Sequence, residues 1–328
     1  MKHAEVPVID IEPFRLGNNS AKKSVAQQVD DALCTTGFMS IVGHGISTKL
    51  INRAREAALR FFTLDLVEKM KIANPPEHMS RGYNWVGNRS LAYTLGEETP
   101  PDLQEGFAFG PFDFERSGYY ARPEAASFFA PNIWPEQPSN FRSIFQDYYL
   151  QVSSLAQKVM SLFAVALDLP EFYFNDKIDK PTSVVRIVHY PAQEAAPLDN
   201  QLRAGAHTDY GTLTLLRSDD VPGTLQVKLP RTGWTDVRQP PGAFVCNLGD
   251  AMARWTGGRW ASTLHRVSNP PPHIPSSDRI SLVFFHQPNY DAFLSGLNED
   301  AVEAVNTVVS EFGSLDTLIN AAAVRAHF

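Results

Sequence analysis

Two histidines and an aspartate in the second half of the chain have the types and spacing of metal ligands. His207 and Asp209 stand at i and i+2, and in an extended segment such residues project to the same face. His265 follows Asp209 by 56 residues, so it belongs to another strand. Two imidazoles and one carboxylate on one face of an octahedral ion leave three positions open, as in non-haem iron(II) oxygenases. We therefore predict that these residues bind iron(II), because zinc lacks the redox chemistry.

A second pair of residues has the spacing of a carboxylate-binding site. Arg279 and Ser281 begin fourteen residues after His265, again at i and i+2. Arginine presents a planar fork that binds a carboxylate bidentately, and the serine hydroxyl adds a further hydrogen bond. In an isolated Arg-x-Ser the arginine more often pairs with a neighbouring acid such as Asp278. The position just after the distal histidine favours the binding of an organic acid.

Three further residues are candidates for contact with a substrate. Tyr210 directly follows the metal-binding pair, and Phe285 shares a strand face with Ser281 by parity. Arg186 lies in a β-rich run, and an arginine that points into a sandwich requires an anion or an acid. Tyr210 and Phe285 fit the core equally well, and Arg186 equally fits a structural ion pair.

The elements around these residues indicate a mainly β core with helical additions. A long apolar stripe at spacings of three and four predicts one buttressing helix, with Ser139 as its N-cap and its end at Leu169. Earlier helices are predicted from Ser20 to Thr36 and from Ser47, a short one from Asp250 to Trp255, and a helical tail after Asn298. Residues 74–138 are predicted to be mostly irregular. Short runs typical of a β-sandwich or jelly roll are Val6–Ile9, Phe38–Val42, Ser183–Tyr190, Thr212–Leu216, Thr224–Val227, Ala243–Asn247 and Arg279–His286.

Composition favours one compact protein that acts on a small molecule. The chain has 328 residues, 43% of them apolar, and a net charge of -7 without any basic block, which argues against a nucleic-acid partner. Cys34 and Cys246 are the only cysteines, so we expect two buried thiols and a reducing cytoplasm. No long apolar run or signal-peptide pattern is present, so we expect no membrane partner. The oligomeric state stays open.

Several motifs resemble those of the 2-oxoglutarate and iron(II)-dependent dioxygenases of the isopenicillin N synthase-like family. Thr36-Gly37-Phe38 followed by Gly43-His44-Gly45-Ile46 resembles the family's N-terminal signature, with glycine at position 43 where asparagine is usual. The resemblance covers most of the chain. The strongest matches are Arg186-Ile187-Val188-His189-Tyr190-Pro191, then Ala206-His207-Thr208-Asp209-Tyr210-Gly211-Thr212-Leu213-Thr214-Leu215-Leu216, and the block from Asn247-Leu248-Gly249-Asp250 to His265-Arg266-Val267.

This resemblance implies a fold, a set of cofactors and a reaction. The fold is an α+β double-stranded β-helix, or jelly roll, with a helical N-terminal region. The cofactors are Fe(II), 2-oxoglutarate as co-substrate and O2, and Tyr190 matches a tyrosine that often contacts 2-oxoglutarate. The reaction oxidises a small organic molecule, most often by hydroxylation, and releases succinate and CO2. The ranges within the single unit are 1–125 for the N-terminal region, 126–180 for the buttressing helices, 181–290 for the jelly roll and 291–328 for the tail.

Two alternatives remain open at this stage. The first is an iron oxidase of the same family that does not use 2-oxoglutarate, since isopenicillin N synthase keeps both the metal triad and the Arg-x-Ser pair. The second is a catalytically silent binding module with the same fold. Asp209 stands where a halogenase of the family has alanine or glycine, so halogenation is not expected.

Overall fold

The protein was analysed as a computed structural model that describes residues 6–293, except 76–79, 89, 97, 194, 272, 275 and 276. Its strands form two sheets that face each other. The strands are β1 (Val8–Asp10), β2 (Phe38–Val42), β3 (Gly82–Asn84), β4 (Glu105–Phe109), β5 (Val184–Tyr190), β6 (Ala204–His207), β7 (Leu213–Ser218), β8 (Leu225–Leu229), β9 (Gly233–Asp236), β10 (Phe244–Leu248), β11 (His265–Val267) and β12 (Arg279–His286).

The larger sheet has the order β1-β2-β10-β7-β12-β5-β4-β3, and the smaller has the order β6-β11-β8-β9. The pairing of β1 with β2 is parallel, and the other strand pairs are antiparallel. Between the sheets lies an apolar cluster that includes Val188, Val227, Val245 and Val267.

Helices cover the opposite face of the larger sheet. They are α1 (Glu12–Leu16), α2 (Asn19–Thr35), α3 (Thr48–Phe62), α4 (Leu66–Met70), α5 (Phe141–Ala166) and α6 (Asp250–Trp255). The apolar stripe of α5 packs with α2, α3 and the outer face of the sheet in the main core, where Phe145, Val152 and Phe163 are fully buried. The α+β fold with a β core and a long buttressing helix is therefore confirmed.

Most predicted elements are confirmed to within a few residues, but three predicted helix caps are wrong. Asn18, not Ser20, caps α2, because its side chain accepts a hydrogen bond from the Ala21 amide. Helix α5 starts at Phe141 after Asn140 and ends at Ala166, so Ser139 is not its cap. Asp250 is the first helical residue of α6 and not its cap.

The segment 74–138, predicted to be mostly irregular, contains two strands that the sequence pattern did not indicate. Strands β3 and β4 extend the larger sheet beyond β5, and every residue of β4 is buried. Short 3₁₀ turns make up part of the remainder, including one at Leu91–Leu95. The alternation of β4 is hidden because a charged residue, Glu105, stands at its start.

Glu105 is buried in a charged network that joins α4 to three strands. Its carboxylate accepts hydrogen bonds from Lys69 Nζ at 2.9 Å and from the Tyr83 hydroxyl, and His189 Nδ1 lies 2.7 Å from the other oxygen. Burial alone raises the pKa of Glu105, but these partners hold it below its ordinary value. A buried carboxylate with this many partners is compensated, so it can replace an apolar residue.

The two cysteines, the predicted tail helix and the absence of a membrane span are the remaining predictions to compare with the structure. Cys246 is buried as expected, whereas Cys34 is exposed on α2, which corrects the expectation of two buried thiols. The predicted tail helix after Asn298 lies outside the described residues. Among the helices that the structure describes, none is long and apolar enough to cross a membrane.

Candidate active site

The three predicted metal ligands converge between the sheets. His207 ends β6 and His265 begins β11, and the two strands pair so that these residues stand directly opposite each other. Asp209 Oδ1 lies 3.9 Å from His207 Nε2 and 3.7 Å from His265 Nε2. Atoms bound at about 2.1 Å to one ion can lie up to about 4.2 Å apart. Both distances from Asp209 meet this limit, and all three candidate ligand atoms lie within 4.8 Å of one another, so the group can hold a single metal ion.

Neighbouring groups decide which atom of each ligand faces the ion. His207 Nδ1 lies 2.8 Å from the carbonyl of Gly205, and His265 Nδ1 lies 3.0 Å from that of Thr263. A carbonyl oxygen only accepts, so each Nδ1 carries the proton and donates it, and each Nε2 keeps a lone pair for the metal. Such backbone partners set the tautomer and the ring orientation of metal-binding histidines.

Asp209 is oriented by two side chains on neighbouring strands of the larger sheet. Its Oδ2 accepts a hydrogen bond from the Thr214 hydroxyl at 2.6 Å and another from the Asn247 amide at 2.7 Å. Asn247 on β10 pairs in register with Thr214 on β7, which brings both donors to one side of the carboxylate. Oδ1 is therefore left for the ion.

The turn that carries Asp209 is held by the start of α6. The amide of Asp250 donates to the Asp209 carbonyl at 2.7 Å, and that of Ala251 donates to the Tyr210 carbonyl at 3.0 Å. Gly249 lies so close to Gly211 that a Cβ at position 249 would stand 2.2 Å from the Gly211 carbonyl oxygen. This close packing lets the start of α6 support the turn that carries Asp209.

Burial and charge keep His207 and Asp209 in the forms that bind a metal. Burial and the nearby His265 lower the pKa of His207, which favours the neutral imidazole. Burial raises the pKa of Asp209, but the two histidines and the hydrogen bonds from Thr214 and Asn247 outweigh it and hold the pKa below its ordinary value. Neutral imidazoles and an ionised carboxylate are the required ligands, so the donor set fits iron(II).

The predicted carboxylate-binding residues lie together on adjacent strands. Arg279 on β12 stands opposite Tyr190 on β5, and Ser281 lies two residues further along the same face. Arg279 is buried, with Nη1 donating to the Asp219 carbonyl at 2.9 Å and Nη2 to the Ser218 hydroxyl at 2.8 Å. These partners are neutral, and the buried Nε has no hydrogen-bond partner among the described residues. The positive charge is thus left available for an anion.

Asp278, the neighbouring acid considered as a partner for Arg279, is engaged elsewhere in the structure. Its carboxylate accepts from the Ala192 amide at 2.9 Å and lies 3.3 Å from His189 Nε2. Burial raises the pKa of Tyr190, which keeps its hydroxyl protonated and able to donate. The geometry therefore suits a carboxylate held by Arg279, Ser281 and Tyr190.

The three candidates for substrate contact differ in exposure. Arg186 stands on the inner face of β5 with Tyr190, and Phe285 is half-buried near the end of β12. Tyr210 is 36% exposed, so it lies at the rim and not in the core. Their contact with a substrate stays a prediction.

Sequence reasoning missed the residues that orient the ligands, namely Thr214, Asn247 and Ser218. Thr214 and Asn247 are each flanked by apolar residues within buried strands. A polar residue in such a strand signals a buried partner. The strand register was needed to identify that partner as Asp209.

Comparisons with known proteins show similarity to iron- and 2-oxoglutarate-dependent oxygenases along most of the chain. Residues 6–137 match the family model for the "non-haem dioxygenase in morphine synthesis N-terminal" region, and residues 181–288 match that for the "2OG-Fe(II) oxygenase superfamily". Homoarginine-6-hydroxylase from Oryza sativa subsp. japonica is 34% identical over 298 residues, with 88% of this chain and 87% of the rice protein covered. A 2-oxoglutarate-Fe(II) type oxidoreductase from Emericella nidulans is 36% identical over 289 residues, with 87% and 80% covered.

A solved structure is similar over nearly the full length. The crystal structure of a full-length Neurospora crassa protein in complex with alpha-KG and thymine superposes with a TM-score of 0.79 at 27% identity, with 92% of this chain and 93% of that chain covered. That protein therefore holds a 2-oxo acid together with a small organic molecule.

Proposed function

We propose, for a chain that belongs to the 2OG-Fe(II) oxygenase superfamily, that His207, Asp209 and His265 bind the iron and that Arg279, Ser281 and Tyr190 bind 2-oxoglutarate. The enzyme class is that of a non-haem Fe(II)- and 2-oxoglutarate-dependent dioxygenase, which oxidises a small organic molecule with release of succinate and CO2. The observation that carries the residue assignment is the convergence of two Nε2 atoms and one Oδ1 atom on a single point.

Iron(II) held by these residues would supply the redox chemistry that couples O2 to the loss of CO2 from 2-oxoglutarate, with one oxygen atom going to succinate and the other to the substrate. The surrounding protein residues hold the metal ligands and orient them. Thr214 and Asn247 fix the Asp209 carboxylate, and the backbone carbonyls of Gly205 and Thr263 fix the two imidazoles. Iron held by these three residues would stay accessible to the co-substrate and O2.

2-Oxoglutarate has two carboxylates, and the guanidinium of Arg279 would bind the one that lies farther from the metal. It is buried and close to Ser281 and Tyr190, and its hydrogen-bond partners in the protein are all neutral. A charge-assisted pair in such a dry place is stronger than one at the surface. Arg279 therefore contributes both affinity and the direction from which 2-oxoglutarate approaches the iron.

The remaining assignments extend the same proposal. Arg186, Phe285 and Tyr210 are proposed to contact the small-molecule substrate, because each lies near the metal-binding residues. Tyr210 directly follows Asp209, the charge of Arg186 acts on His207, and Phe285 stands opposite Thr214. The ranges 1–125, 126–180, 181–290 and 291–328 are proposed as the parts of one unit. A reducing cytoplasm is proposed from the two free thiols.

Binding experiments test the metal site. His207→Ala and Asp209→Ala should each abolish binding of Fe(II) in anaerobic calorimetry, because each removes one of three ligands. His44→Ala is the control, because the described contacts of His44 are with the Gly242 carbonyl, the Ile46 amide and the Phe244 ring and not with the metal ligands. Full iron binding in both ligand variants would sink the assignment.

A second experiment tests the co-substrate site. Arg279→Ala should leave Fe(II) affinity unchanged and weaken 2-oxoglutarate by about a hundredfold, because a buried charge pair is lost. An unaltered 2-oxoglutarate affinity would remove Arg279 from the assignment. Oxidation of a substrate without any 2-oxoglutarate would favour the alternative oxidase, in which these residues bind the substrate itself.

A further inference from the structure

Arg186 is a charged residue on the inner face of the jelly roll. It stands opposite Ala108 on β4 and Val283 on β12, and alternation along β5 places it on the same face as Val188 and Tyr190. Its side chain is only half-buried, so part of it is accessible to a small molecule. Its charge acts on His207, which places it within electrostatic range of the metal ligands.

The guanidinium of Arg186 has no hydrogen bond or ion pair with any residue that the structure describes. The other interior arginines differ in this respect. Arg81 donates to the carbonyls of Phe128 and Ala130, and Arg203 donates to those of Pro222 and Ser277. Burial lowers the pKa of Arg186, as it does for Arg81 and Arg203, so the difference between them lies in the hydrogen bonds.

Asp102 is the acid to consider as a partner of Arg186, and its carboxylate already has other hydrogen-bond partners. Its oxygens accept hydrogen bonds from the amides of Gly205 and Leu91 and from the side chain of Gln104. Burial raises the pKa of Asp102 to about 6, which weakens its negative charge. Asp102 therefore attracts Arg186 at a distance but does not neutralise it by contact.

A glycine makes room for the Arg186 side chain. A Cβ on Gly106 of β4 would lie 3.3 Å from Arg186 Nε and 3.7 Å from Nη2. The guanidinium thus lies over the backbone of Gly106, where any larger residue would crowd it. This arrangement keeps the planar group in place in the absence of hydrogen bonds.

Arg186 and Arg279 leave the sheet at separate positions. Arg279 stands opposite Tyr190, and Tyr190 is four residues from Arg186, a separation of roughly 13 Å along a strand. A second anion beside Arg186 would compensate its charge, because an uncompensated charge in an apolar interior is costly. One planar guanidinium matches a single carboxylate.

We propose that Arg186 binds a carboxylate of the primary substrate, so that the enzyme oxidises organic acids. This inference rests on the proposed function, in which Arg279 and Ser281 hold 2-oxoglutarate. It gives the substrate a direction: the carboxylate lies at Arg186 over Gly106, and the rest of the molecule extends towards the metal ligands and the rim at Tyr210.

The test compares acids with their own primary amides. Succinate release by the iron-loaded wild-type enzyme is measured for a set of small carboxylic acids, each paired with its primary amide. We expect stimulation by one or more acids and a response to the matching amides that is at least about a hundredfold lower in kcat/KM. Equal stimulation by an acid and its amide would overturn the proposal.

Variants then assign the effect to Arg186. Arg186→Met should lower kcat/KM for the active acid by about a hundredfold, and Arg186→Lys should restore part of it, because a point charge replaces the fork. Arg217→Met is the matched control, since Arg217 is a half-buried arginine of the same sheet whose side chain bonds the Ala243 carbonyl. An acid that stimulates Arg186→Met as strongly as wild type would refute the assignment.

Two binding readouts separate this proposal from the function on which it rests. Arg186→Met should bind Fe(II) and 2-oxoglutarate within about twofold of wild type, and its melting temperature should be equal or higher, because an unpaired interior charge is removed. A weaker 2-oxoglutarate affinity would assign Arg186 to the co-substrate, and a clearly lower melting temperature would assign it a structural role. Failure of the wild-type protein to bind 2-oxoglutarate would instead refute the proposed function.

Discussion

Thr214→Val removes one of the two hydrogen bonds that orient the Asp209 carboxylate while preserving the volume of the side chain. The Thr214 hydroxyl donates to Asp209 Oδ2 at 2.6 Å, and the Asn247 amide donates to the same oxygen at 2.7 Å. With both donors in place, Oδ1 points at the two Nε2 atoms. Loss of a donor allows the carboxylate to rotate away from that position, so metal affinity should fall.

The expected magnitude follows from the strength of such bonds. A hydrogen bond to a charged group contributes about 1.5–3 kcal/mol, and each 1.4 kcal/mol corresponds to about a factor of ten in affinity. Because Asn247 still holds Oδ2 in Thr214→Val, we expect about a tenfold loss of Fe(II) affinity, at the lower end of the range for such outer partners. The double variant with Asn247→Leu should lose about a hundredfold.

The assay is anaerobic titration calorimetry with Fe(II), with the melting temperature of each metal-free protein as a check on folding. Thr214→Ser is the matched control, because it keeps the hydroxyl and should bind iron within about threefold of wild type. Wild-type affinity in both Thr214→Val and the double variant would refute the reasoning. A loss in Thr214→Ser as large as that in Thr214→Val would assign the effect to packing.

Three further predictions concern the packing and charge around the site. Gly249→Ala should weaken Fe(II) binding by about tenfold or more in calorimetry. The new Cβ would stand 2.2 Å from the Gly211 carbonyl oxygen, so the turn that carries Asp209 must shift. An unchanged affinity would contradict the close packing. Glu105→Gln should cost about 3–5 kcal/mol in urea unfolding at pH 7 because Lys69 loses its anion. The depressed pKa of Glu105 means that its stabilisation is present above the ordinary pKa and lost as the pH falls through the depressed one, so the variant should lose stability less steeply on acidification than wild type. Phe145→Ala should lower the free energy of unfolding by about 3–5 kcal/mol. Phe145 is fully buried, and its ring centroid lies 4.6 Å from that of Phe141. A loss below about 1 kcal/mol would imply that the core collapses around the cavity.

The strands of the jelly roll could be predicted because their residues repeat a pattern that depends only on local geometry. The run from Arg279 to His286 was predicted with its observed bounds, since β-branched and aromatic residues follow one another there. Strand β4 escaped prediction because Glu105 opens it, and only Lys69 and His189, distant in the chain, make that carboxylate acceptable in the interior. The predicted caps of α2 and α5 were wrong because several adjacent polar residues compete for the same role.

The residues that can bind a metal and a carboxylate are recognisable from local spacing, because residues two apart in extended segments share a face, as His207 does with Asp209 and Arg279 with Ser281. That His265 stands opposite His207, and that Thr214 and Asn247 meet at one oxygen of Asp209, is visible in the folded protein alone. The same holds for Arg186, which has no hydrogen-bond partner among the described residues. Alternation along one strand is local, whereas contact between strands depends on register and burial, which the whole fold sets.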